Sequence, residues 1–400
     1  MEKALKYDFS TATNREATNA EKYVLRKELF GTEDVLPAWV ADMDIDTPDF
    51  VLNAVKKRLE TPNMGYEEVP QSAFLAQIEW MKKEHGTAFR VDELFYSHSV
   101  VASMHTAIEA FTKEGDGVIV QTPVYPPFFH SVTKLKRKVI KNSLILDEDG
   151  SYSFDIEDFK SKIDANTKLL LLCSPHNPVG RVWKAQELAQ ILEICLEHNI
   201  VVFADEIHSD LVYKPNKHIP FCSLSDKAKK ITLTAIGVGK TFNMAGFAIS
   251  SVVIQDETLR TKFQIAYDRV HYAEGSSLSH VAFESAYKNG KEWLEELKVH
   301  LYKNYEMLVR LSEKYPEYIK ITPIEATYLA WIDCRGMQFK DRELRKFFIQ
   351  EAKLGLNSGL SFGREGLGFM RLNFAVSSAT MLEIIKRVDA ALQRKKLGKN

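Results

Sequence analysis

Gly237-Val238-Gly239-Lys240-Thr241-Phe242-Asn243-Met244-Ala245-Gly246 is the stretch on which the reading of this chain turns. A single lysine sits among small residues, directly after the apolar run that ends at Ile236. An ammonium is poorly solvated in such a place, which lowers its pKa and frees a neutral, nucleophilic amine. Gly239-Lys240-Thr241 also ends like a phosphate-binding P-loop. That motif needs a glycine five residues before its last one, and the position holds Thr234. Alone, the segment would equally fit a surface lysine after a strand, so its surroundings decide.

Upstream, the apolar run Ile200–Ala204 ends in Asp205-Glu206-Ile207-His208. This reads as a buried parallel strand with acids at its C-terminal edge, where α/β sheets place ligands. Before it, a strand ending at Cys173 runs into Ser174-Pro175-His176-Asn177-Pro178-Val179-Gly180. A strand, a turn carrying Asn, a helix, a strand ending in Asp and a strand leading to Lys resemble the fold type I enzymes of pyridoxal 5'-phosphate (PLP), the aminotransferase class I/II superfamily. Further segments narrow the resemblance: Pro37-Ala38-Trp39-Val40-Ala41-Asp42-Met43-Asp44, Gly65-Tyr66, Thr122-Pro123-Val124-Tyr125-Pro126-Pro127-Phe128 and Gly368-Phe369-Met370-Arg371-Leu372-Asn373. Together with Asn177–Trp183 and Asp205–His208 they are similar to the cystathionine β-lyase (C–S lyase) subgroup typified by MalY and PatB. The resemblance runs from about residue 35 to the end.

The 400 residues are 45% hydrophobic and 27% charged with net charge −1, an ordinary globular composition with room for two domains. The basic tail Arg394-Lys395-Lys396 reads as a solvated helix end, so no nucleic-acid partner is expected. No apolar run reaches the ~18 residues of a membrane span. Met1-Glu2-Lys3-Ala4 lacks a signal-peptide core, which points to the cytoplasm. The 4 cysteines and 11 histidines show no metal-ligand spacing, and no metal is expected.

Helical spacing marks Asp49–Leu59, Gln71–His85, Val100–Phe111 and Lys184–His198. Apolar strands at 117–121, 138–144, 168–173, 200–204 and 231–236 alternate with helices, as a mostly parallel sheet requires. After residue 290 comes a smaller α+β pattern: helices at 292–315, 341–352 and 379–394, strands at 328–333 and 369–375. The expected fold is therefore α/β, of PLP fold type I. Residues 1–45 form an arm belonging to the small domain, 46–290 the large PLP-binding domain with its sheet between helices, and 291–400 the C-terminal small domain.

The resemblance implies the site. Lys240 carries PLP covalently and removes the substrate α-proton. Asp205 pairs with the pyridine nitrogen, and Asn177 donates to the ring O3' oxygen. His208 lies near O3' or supports Asp205, and Tyr125 stacks on the ring. The phosphate sits on the N–H groups of Ser99, Val100 and Val101, where a helix dipole favours an anion. Arg371 clamps the substrate carboxylate, which a guanidinium matches with two parallel hydrogen bonds. Trp39, Asp42 and Met43 line the entrance. Tyr66 reaches the phosphate or substrate of the neighbouring subunit, which makes the protein an obligate homodimer with shared sites. The chain departs from the family at Ser99, where glycine is usual, and at Gly237 and Gly239, where serines are common. Ala248 stands where classical aminotransferases carry a phosphate-binding arginine. The implied activity is β-cleavage of cystathionine or another S-substituted cysteine to a thiol, pyruvate and ammonia. An aminotransferase with the same site is the alternative, and a regulator that binds a transcription factor is a reading of another class.

Overall fold

The apolar runs of the first half assemble into one seven-stranded sheet. In the computed structural model, which describes residues 6–270 and 275–398, the spatial order of its strands is 94–97, 250–253, 232–236, 201–205, 167–173, 117–122 and 138–143. The inner strands Thr232–Ile236, Val201–Asp205, Thr167–Cys173 and Gly117–Thr122 run parallel, while Ser250–Val253 is antiparallel to both of its neighbours. Alternation along Thr167–Cys173 shows how both faces are covered. Leu169 and Leu171 pack into one apolar cluster with Met104, Phe128 and Phe263, and Leu170 and Leu172 into another with Leu188, Ile191 and Cys195. A strand buried on both faces needs no polar side, which is why its sequence is a continuous leucine run.

The helices expected at 49–59, 71–85 and 100–111 occupy those residues, and the fourth spans Ala185–Glu197. Ser99 caps its helix by accepting from the Ala102 N–H at 3.1 Å. Strands Leu94–Ser97 and Ser250–Val253 and helices Glu257–Arg269 and Ser277–Asn289 were not legible beforehand. Their short or polar sequences carry little periodicity, and the sheet around them supplies the order.

Beyond residue 290, helices Lys291–Lys314 and Ser378–Lys396 pack against a sheet of four strands in the order 320–321, 329–333, 369–373, 357–358. The segment expected as one helix over 341–352 is α-helical at Asp341–Lys346 and widens into a π turn at Phe347–Glu351. The N-terminal segment forms two short helices, Glu21–Val24 and Arg26–Phe30, and then pairs in parallel with the second half, Leu36 with Leu354 and Pro37 with Gly355. Residues 1–5 of the expected arm lie outside the described residues. No described helix is long and apolar enough to cross a membrane.

Candidate active site

The carboxyl ends of the central strands open onto a cavity of about 220 Å³. Asp205, the last residue of its strand, lines it, and its carboxylate accepts from the Ile207 N–H at 3.2 Å. Burial pushes the Asp205 pKa up to about 7, against the pull of the Lys240 ammonium. Lys240 follows the next strand in the short helix Val238–Thr241 and is half-buried, its open side facing the cavity. Desolvation, with the Arg371 charge, pulls its pKa down to about 8. Its Nζ donates to the Ala41 carbonyl at 2.7 Å. An acid with raised proton affinity and an amine with lowered affinity thus share one cavity, a pairing typical of catalytic sites.

Asn177, His208 and Tyr125 complete the wall. Asn177 accepts from Arg371 Nη1 through Oδ1 at 3.0 Å, which leaves its NH₂ to donate. The Tyr125 N–H donates to the Asn177 carbonyl at 3.2 Å, joining the two loops. His208 is buried, and desolvation with the charges of Lys240 and Arg371 lowers its pKa to about 3, so the ring is neutral. Its Nδ1 finds no hydrogen-bond partner among the described residues. At the other end stand Ser99, Val100 and Val101, the start of the helix Val100–Phe111. The first N–H groups of a helix have no partner within it and carry partial positive charge.

Arg371 adjoins the cavity behind Asn177. Its Nη2 donates to the Trp39 carbonyl at 2.9 Å and to Asn357 Oδ1 at 2.8 Å, and its guanidinium lies 4.8 Å from the centre of the Phe362 ring. No carboxylate pairs with it among the described residues, and its buried Nε has no acceptor there. Burial pulls its pKa to about 10. A buried cation held only by neutral oxygens and a ring is poised for an anion.

Four further expected residues do not line this cavity. Asp42 is taken up by ion pairs to Lys22 at 2.6 Å and Arg15 at 2.9 Å, and it lines a separate cleft. The Trp39 side chain packs edge-on to Phe30 and donates to the Lys22 carbonyl, so that the backbone of Trp39 faces Arg371. Met43 is wholly buried in the core. Tyr66 is fully solvent-exposed in the protomer.

The structure also adds residues that sequence reasoning missed. His98, Cys173 and Ser250 line the cavity. Asn357 meets Arg371 because the two are register partners across adjacent strands, a pairing no spacing rule reveals. Beneath Lys240, the Thr241 hydroxyl donates to Asp210 Oδ2 at 2.9 Å, while Asp210 Oδ1 takes Trp80 Nε1 at 2.9 Å and His85 Nε2 at 2.8 Å. This network fixes the turn that presents the lysine. Among the described residues, no group of three or more His, Cys, Asp or Glu could hold a metal ion.

Comparison with known proteins bears on this site. The family model described as aminotransferase class I and II matches residues 40–388. The chain is 39% identical to cystathionine beta-lyase PatB of Bacillus subtilis (strain 168), over 96% of this chain and 100% of that protein. It is 31% identical to protein MalY of Escherichia coli (strain K12), over 92% and 94%. Among solved structures it is similar to cystalysin from Treponema denticola, which contains a pyridoxal 5'-phosphate cofactor. The TM-score is 0.94 and the identity 34%, covering 97% of this chain and 99% of that one.

Proposed function

This chain belongs to the aminotransferase class I and II family, and within that family we propose that it is a PLP-dependent carbon–sulfur β-lyase. Its substrate is L-cystathionine or a related S-substituted cysteine, cleaved with water to a thiol, pyruvate and ammonia. The observation that carries the reading is the shared cavity of Lys240, Asp205 and an open helix N-terminus. These are the three features that a pyridoxal phosphate requires: an amine for its carbonyl, a carboxylate for its ring nitrogen and N–H groups for its phosphate. The similarity to PatB and MalY favours the lyase over the aminotransferase.

The unpartnered His208 Nδ1 and the raised pKa of Asp205 both describe polar groups waiting for a ligand, so the donor set fits the cofactor. Bound PLP supplies an electron sink for the charge left on the substrate when Cα loses its proton. The protein does the rest. Lys240, with its lowered pKa, holds the cofactor and, once released from it, takes the proton from Cα. Asp205 would pair with the ring nitrogen and hold a proton there. Asn177 donates to the ring oxygen and at the same time positions Arg371. Arg371 binds the α-carboxylate and so turns Cα toward Lys240. Tyr125 would stack on the ring, and the neutral His208 would lie near O3' or support Asp205.

In the same reading the protein is a homodimer in the cytoplasm. The exposed Tyr66 serves the partner's site, and Trp39 contributes its carbonyl, which holds Arg371. The division into an arm of 1–45, a large domain of 46–290 and a small domain of 291–400 is part of the proposal, supported by the pairing of Leu36–Pro37 with Leu354–Gly355.

The test is product formation by purified PLP-loaded protein. Pyruvate released from L-cystathionine with no 2-oxo acid present is the expected result. Turnover that requires a 2-oxo acid, and yields no pyruvate from the substrate, would make the protein an aminotransferase.

A further inference from the structure

We propose that residues 39–45 form a strap that sets Lys240 and Arg371 relative to one another, and that Asn373 and Asn243 are the positioning residues that hold it. The inference rests on the reading of the cavity as a PLP site, where the lysine and the arginine act on one substrate.

Four successive carbonyls of the strap divide between the site and its support. The Trp39 carbonyl accepts from Arg371 Nη2 at 2.9 Å, and the Ala41 carbonyl accepts from Lys240 Nζ at 2.7 Å. The alternate carbonyls, those of Val40 and Asp42, accept from Asn373 Nδ2 at 2.6 and 2.5 Å. Asn373 stands two residues after Arg371 on the strand Phe369–Asn373, so the two side chains leave the same face. It is buried, and its Oδ1 accepts from the Ala375 N–H at 2.8 Å, which fixes the orientation of the amide. One amide thereby takes two carbonyls of the strap and leaves the other two facing the two cations. The Tyr328 hydroxyl also donates to the Ala41 carbonyl, at 2.8 Å, and steadies it.

The other end of the strap is clasped from the lysine side. Asn243, three residues after Lys240, accepts from the Met43 N–H at 3.0 Å and donates to the carbonyls of Met43 at 3.0 Å and Ile45 at 2.6 Å. Its own carbonyl accepts from the Thr47 hydroxyl at 3.0 Å. Asn243 has a φ of +52°, a left-handed conformation that asparagine tolerates. Two asparagines therefore join the strap to both halves of the site, Asn243 to the turn that carries Lys240 and Asn373 to the strand that carries Arg371.

The experiment uses two variants. Asn373→Leu keeps the volume, adds no charge and removes the donors. Asn243→Gly suits the left-handed backbone, so it folds whether or not Asn373→Leu does. Lys240 is titrated in cofactor-free protein by trace labelling with acetic anhydride and peptide mass mapping. KM for L-cystathionine is measured after loading with PLP. The charges around Lys240, those of Arg371, Asp42, Asp205 and Glu21, are present in every variant. A carbonyl that accepts from an ammonium favours the charged form, so turning Ala41 away lowers the midpoint of Lys240 labelling by about 1 pH unit. Arg371 released from Trp39 meets the substrate carboxylate less well, and KM rises about tenfold. In a folded variant, a midpoint that stays in place overturns the positioning role. So does one that rises toward an ordinary lysine, as happens when a loosened site merely admits water. A change in one readout without the other overturns the coupling. Wild-type protein that takes no PLP on Lys240 overturns the cofactor reading, while the labelling of cofactor-free protein still decides whether the strap sets the lysine.

Discussion

Asp205 shows what a buried carboxyl costs the fold. Its folded pKa of about 7 lies above the ordinary value of 3.8. Between those values the folded protein binds a proton that the unfolded chain does not. Stability is therefore fully present below about pH 4 and is lost as pH rises through 7, by about 1.4 kcal/mol per unit for such a group. In cofactor-free protein, Asp205→Asn removes this loss, because the amide stays neutral. Urea denaturation at pH 8 is expected to find the variant more stable than wild type by roughly 4 kcal/mol, with the gap closing toward pH 4. A gap that does not change with pH would mean that the carboxylate is not desolvated. Lys240, Asp205 and Asn177 were legible in the sequence because each stands at the end of an apolar strand or within four residues of it, and a parallel sheet brings such strand ends to one edge. Asn357 was not, because its contact with Arg371 comes from strand register, which has no local signature.

At the scale of elements, the junction between strand Thr232–Ile236 and the lysine turn explains one departure from the family. A Cβ on Gly237 would meet Ser250 Cβ at 2.9 Å and its backbone Cα at 3.1 Å, since the antiparallel strand Ser250–Val253 passes directly alongside. Gly239 faces only an ordinary contact, 3.6 Å to Ala245. Gly237→Ser is therefore expected to destabilise the protein by about 1–3 kcal/mol, as overpacking does, while Gly239→Ser is tolerated. Thermal or urea unfolding of the two variants checks this, and equal loss in both would remove the steric account. The strand at 250–253 escaped the sequence reading because its apolar stretch is short. The strands at 167–173 and 201–205 did not, because burial on both faces leaves an unbroken apolar run of four or more residues. The π turn at 347–351 likewise interrupts a segment whose helical spacing gave no warning.

For the whole molecule, the exposed Tyr66 makes assembly testable. If it serves the partner's site, Tyr66→Ala and Lys240→Ala rescue one another when refolded together. Random pairing makes half of the dimers mixed, each with one intact site, so activity returns to about a quarter of wild type per site. Mixed dimers verified by mass that show no activity would place both residues in the service of one chain. The central claim, however, is that Lys240 carries the cofactor in a cavity shared with Asp205. The most direct measurement is reduction of the PLP-loaded protein with borohydride, followed by peptide mass mapping. A single phosphopyridoxyl group, attached to Lys240, is expected. A group on another lysine, or none, would contradict it.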